Sequence, residues 1–82
     1  MNINTHAITL KNIWSRVLCI PADLISAESN FFHMGGNSMA LLQIDFSIRQ
    51  TFQVSLSVSL LYSHPQFQQQ LALVEQALSV SR

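Results

Sequence analysis

Cysteine occurs once in this chain, at Cys19, so no disulfide can form within it. Cys19 ends an apolar helical stripe and is read there as a small buried hydrophobe. Charge is also scarce: four basic and four acidic residues give a formal charge of zero. Without a basic run, the electrostatic footprint of a nucleic-acid binder is missing. His6, His33 and His64 are far apart and have no second ligand at metal spacing, which argues against a zinc site. No apolar stretch is long enough to span a bilayer, and the N-terminus lacks a signal-peptide pattern. The expectation is a soluble, cytoplasmic monomer that binds neither nucleic acid nor membrane. Glycine is also scarce. Its two occurrences, Gly35 and Gly36, stand together before Asn37 and Ser38.

What the chain does have is apolar material. Eighty-two residues leave room for one domain, expected over 1–82, and 49% hydrophobic content is ample for one modest core. A first helix is predicted over Thr5 to Leu18, where Leu10, Ile13, Trp14, Val17 and Leu18 recur on one face. Pro21 stops it. A long connection follows to Asn37, with a short helical turn near Ala22 to Ile25. Leu24, Ile25, Phe31, Phe32 and Met34 are available to pin it, and at least one phenylalanine ring is expected in the core.

A second helix is predicted from Ser38 to about Phe52, with Asn37 as N-cap. A third, short one is expected around Ser57 to Tyr62. The alternation of Val54, Leu56 and Val58 mimics a strand, but no partner strand is evident. A fourth helix is placed near Pro65, a residue suited to a first turn. It carries Phe67, Leu71, Val74 and Leu78 on one face, and Gln68, Gln69 and Gln70 read as a solvated run. The expected fold class is all-α: a small four-helix bundle with a long loop between helices one and two.

Helix two has two apolar stripes. Leu41, Ile44, Ile48 and Phe52 form one; Met39, Leu42 and Phe46 form another, centred about 150° away at 100° per residue. So small a bundle cannot easily bury opposite faces of one helix. The second stripe either lies under the long loop or is exposed to a partner, a use that suits Met and Phe.

Ser38 is a nucleophile, a cap or an attachment point. A nucleophile needs a base and an orienting group. There is no Gly-x-Ser-x-Gly elbow, and His33 has no evident acidic partner. As an attachment point the site makes physical sense. Two glycines let the backbone turn and leave the hydroxyl unobstructed, and the amides and dipole of a helix start favour a phosphate group.

The run "NFFHMGGNS" resembles the phosphopantetheine-attachment motif of carrier proteins, most closely the peptidyl and aryl carrier domains of nonribosomal peptide synthesis. "LLQIDFSIRQTFQVSLSVSLLYSHPQF" has the family's apolar positions, its late arginine and phenylalanine in helix two, and its Leu-aromatic-x-x-Pro entry to the last helix. "NIWSRVLCI" is similar to the family's first helix. The resemblance covers nearly the whole chain. It implies that Ser38 carries 4'-phosphopantetheine, derived from coenzyme A, through a phosphodiester. Gly35, Gly36 and Asn37 would shape the presenting loop, while Met39, Leu42 and Phe46 would meet partner enzymes. The implied function is a non-catalytic carrier that holds an acyl or aminoacyl group as a thioester. Its implied partners are a phosphopantetheinyl transferase, an adenylation or other acyl-loading enzyme, and condensation, thioesterase or tailoring enzymes.

Three departures from the family pattern stand out. Asn37 replaces a common Asp before the serine, which bears on the type of transferase. Asp45, balanced by Arg49, leaves helix two without the acidic surface of fatty-acid carriers, so steering toward basic partners should be weak. Gln66 stands where a capping Thr is common, so the start of helix four is expected to fray. A stand-alone carrier is expected from the initial Met and the end just after helix four. The alternatives are a polyketide- or fatty-acid-type acyl carrier, and a helical adaptor whose Ser38 is only a cap.

Overall fold

The computed structural model describes residues 5–80, so both ends of the expected 1–82 domain lie outside the described residues. It contains four α-helices: α1 (Thr5–Leu18), α2 (Ser38–Phe52), α3 (Val58–Ser63) and α4 (Phe67–Val80). A single 3-10 turn, Ala22–Leu24, interrupts the α1–α2 connection. There is no β-strand among the described residues, and Val54 and Leu56 are buried from an irregular segment between α2 and α3.

One core joins all four helices. Leu10, Ile13 and Trp14 of α1 meet Leu41, Ile44 and Ile48 of α2, with Leu61 of α3 and Phe67 and Val74 of α4. Phe31 enters this core from the connection, whereas Phe32 is partly buried and packs against its edge. Trp14 makes edge-to-face contacts with Phe31 and Phe67, at 5.3 Å between centroids in each case. Such aromatic pairs add to area burial. His6 at the start of α1 lies 5.8 Å from Phe52 at the end of α2, so these helices run antiparallel.

Four expectations need correction. Cys19 is exposed, not buried. It occupies the left-handed region at φ 58°, and Ile20 N–H reaches the Ser15 carbonyl five residues back. This closure of α1 turns the side chain outward. Leu24 is also exposed and does not pin the loop; Ile25 and Phe31 are buried instead. Gln70 does not belong to a solvated run. It is fully buried, and its Oε1 accepts a 3.1 Å hydrogen bond from Trp14 Nε1. A buried indole N–H needs such an acceptor.

The entry to α4 also differs. The helix begins at Phe67, and the Pro65 carbonyl accepts from Phe31 N–H at 2.8 Å. Gln66 is no weak point: its carbonyl accepts from Gln70 N–H, and its own N–H donates to Gln69 Oε1. The next two amides, on Phe67 and Gln68, donate to the Ser29 and Ala27 carbonyls. Orphan donors of the first turn are thus satisfied by the long connection, which is tied to α4 in return.

Candidate functional site

The segment before α2 is a compact turn. Asn30 Oδ1 accepts from the amides of Phe32 and His33, at 2.9 and 3.1 Å. Gly35 N–H and Gly36 N–H then donate to the carbonyls of Phe32 and Phe31. Gly35 sits at φ +100°, a region that L side chains rarely adopt. Gly36 answers a different need. A Cβ there would collide with the Phe31 ring, coming within 2.8 Å of Cζ and closer to its neighbours. The second glycine therefore lets a core ring pass beneath the loop, a packing role that the sequence reading did not include.

Asn37 caps α2: its backbone is extended, and Oδ1 accepts from Ala40 N–H at 2.9 Å. Ser38 is the first residue of the helix and is exposed. Its hydroxyl makes no hydrogen bond among the described residues, and nothing links it to His33 or to a carboxylate. A relay for nucleophilic catalysis is therefore not assembled there. The hydroxyl stands instead at the positive end of a helix dipole. These features fit an attached phosphate: an open oxygen to carry it, unblocked backbone around it, and an electropositive helix start.

The two stripes of α2 have different surroundings. Leu41, Ile44 and Ile48 are buried and Phe52 partly so, while Met39, Leu42 and Phe46 are 69%, 51% and 61% exposed. The long connection does not cover the second stripe. Between it and α1 lies an open groove of about 490 Å³. Val17, Met39, Leu42 and Phe46 form its apolar surface; Arg16, Gln43 and Ser47 add polar groups. Arg16, Val17, Gln43 and Ser47 were not among the predicted site residues, because the groove arises only from the packing of α1 on α2. On the other flank, Asp45 is buried and pairs with Arg49 at 3.4 Å from Oδ2, while its Oδ1 has no partner.

Together these features define a class: a small helical bundle that displays one unobstructed serine at a helix start beside an exposed apolar face. The chain belongs to the phosphopantetheine attachment site family, whose match covers residues 9–74. The family's cofactor is 4'-phosphopantetheine, and the chain spans about 1% of the length of the curated nonribosomal peptide synthetases it matches. It is 30% identical over 73 residues to nonribosomal peptide synthetase easA of Emericella nidulans, a match covering 89% of this chain and 1% of that protein. A peptidyl carrier protein solved with coenzyme A and the phosphopantetheine transferase Sfp is 25% identical, with a TM-score of 0.83, and covers 92% of this chain and 95% of that one. A carrier from a docking-domain complex of the Pax NRPS, PaxA with PaxB, is 31% identical with a TM-score of 0.81; the match covers 92% of this chain and 70% of that one. No described helix is long and apolar enough to cross a membrane.

Proposed function

We propose that residues 1–82 are one carrier domain, modified at Ser38 by a phosphopantetheinyl transferase and acting in the cytoplasm in nonribosomal peptide or related biosynthesis. The observation that carries this reading is the exposed, unbonded Ser38 hydroxyl at the capped start of α2. In the modification, Ser38 Oγ forms a phosphorus–oxygen bond as the pyrophosphate link of coenzyme A breaks. The hydroxyl proton is lost and adenosine bisphosphate leaves. When bound, the group supplies the thiol that holds acyl or aminoacyl cargo as a thioester, so the reactive atom is the cofactor's.

The protein's own residues do the rest. Gly35 sets the turn, Gly36 seats the loop on Phe31, and Asn37 fixes the start of α2. The free amides of that first turn favour the phosphate's charge. Met39, Leu42 and Phe46 form the docking strip, next to the modified serine, for the transferase and the loading, condensation, thioesterase or tailoring enzymes. Bond-making steps belong to those partners. An ATP-dependent adenylating enzyme is the expected loader, with an amino or aryl acid as cargo.

Incubation of the apo protein with Sfp and coenzyme A should add one phosphopantetheinyl group by intact mass. Ser38→Ala should fold normally and gain none. Labelling that persists in Ser38→Ala defeats the assignment. Charging of the holo protein only by a malonyl transferase would favour an acyl carrier of the polyketide or fatty-acid type.

A further inference from the structure

We propose that the groove between α1 and α2 receives an amphipathic helix of a partner enzyme, acidic along the edge that faces α1, and that Arg16 selects it. This inference deepens the docking reading of the strip and rests on it. The shape of the groove suits a helix. It lies between two antiparallel helices, and Met39, Leu42 and Phe46 follow one another at i, i+3 and i+7, the spacing of a helix-contacting face. From Met39 to Phe46, α2 advances about 10 Å, at about 1.5 Å per residue. About two turns of a partner helix, with apolar anchors at the same spacing, match that length.

Charge then decides which edge of the partner helix faces α1. Arg16 is the only charged residue lining the groove. The acidic residues are all engaged elsewhere or stand apart. Asp45 pairs with Arg49 and Glu75 with His6, while Asp23 and Glu28 are exposed in the connection and form no ion pair. Arg16 is therefore exposed and without an ion pair among the described residues. Helix geometry places it beside the strip. His6 packs on Phe52, and ten residues of α1 rise about 15 Å, which brings Arg16 level with Leu42. Gln43 and Ser47, which also line the groove, carry no charge, and on the far flank Arg49 is held by Asp45.

The groove thus has one uncompensated charge, next to apolar surface that a docked helix would dry. An ion pair formed there counts for more than one in open water, and a basic residue in the same place is penalised. The chain's formal charge is zero, so its long-range field is weak and the sign of a partner is read at contact. Enzymes that share the apolar strip are then told apart by the residue each sets against Arg16.

The test titrates isotope-labelled apo protein with three helix-stabilised peptides, followed by nuclear magnetic resonance. The peptides share the same Leu and Phe anchors and differ only in flanking Glu, Gln or Lys. All should perturb Val17, Met39, Leu42 and Phe46. The Glu peptide should bind several-fold more tightly than the Gln peptide, and the Lys peptide should bind most weakly, with the gaps narrowing at high salt. Arg16→Glu, at an exposed position, should invert the order of the Glu and Lys peptides, and Arg16→Gln should bring the two together. Equal affinities at the strip, or an order unchanged in Arg16→Glu, would overturn selection by Arg16 while leaving the docking strip standing. No binding by any peptide, or perturbation confined to the groove of Leu56, Leu60 and Leu73, overturns this inference and the strip's role together. Neither failure touches attachment at Ser38, which the mass measurement tests on its own.

Discussion

The two faces of α2 are built from similar residues and have opposite fates. Ile48, at 0% exposure, and Phe46, at 61%, are two positions apart on one helix. Hydrophobicity does not separate them; angle does. Ile48 points into the layer shared by α1, α3 and α4, while Phe46 points past α1 into an open groove. The comparison teaches that single exposed apolar residues such as Leu24 need no explanation, whereas a contiguous exposed stripe such as Met39, Leu42 and Phe46 calls for a functional account.

Removing a side chain from each face is the most direct way to break the comparison. Ile48→Ala should lose about 2–5 kcal/mol of stability in denaturant unfolding, because it opens a cavity among fully buried neighbours. Gly36→Ala should come next. It forces a methyl group onto the Phe31 ring, and overpacking of this kind costs about 1–3 kcal/mol. Loading by Sfp should slow in that variant as the loop before Ser38 shifts, a change measurable by mass-spectrometric time course. Phe46→Ala should have the smallest effect on stability, within about 0.5 kcal/mol, since no cavity forms at an exposed site. It should still slow transfer to a cognate enzyme, because aromatic anchors dominate interface energies. If Phe46→Ala unfolds as easily as Ile48→Ala, the two faces are not different in kind.

Much of this architecture was legible because it is periodic. Leu10, Ile13 and Trp14, or Leu41, Ile44 and Ile48, announce a buried helical face by spacing alone. The cap at Asn37 and the turn at Gly35 are local, and local chemistry can be read from neighbours in sequence. What could not be read depends on residues far apart. Gln70 looked solvated because its partner, Trp14, is 56 positions away. Gly36 reads from its neighbours only as a way to leave the Ser38 hydroxyl unobstructed, and its packing over the Phe31 ring depends on the folded loop. The start of α4 is supported by carbonyls of the long connection, which no capping motif at Gln66 reveals. Cys19 departs from the periodic pattern for a local reason: a left-handed residue at a helix end reverses the direction that periodicity assigns.

The Trp14–Gln70 hydrogen bond has a spectroscopic consequence. The chain has a single tryptophan, and that indole touches the connection through Phe31 and α4 through Phe67 and Gln70. Its emission therefore reports on the joint assembly of three segments, with no second fluorophore of its kind to dilute the signal. The indole is fully buried, away from the exposed strip of α2. Fluorescence can accordingly follow unfolding while the arm and its cargo are changed at will, giving this carrier a built-in dye for its core that leaves the exposed strip of α2 unlabelled.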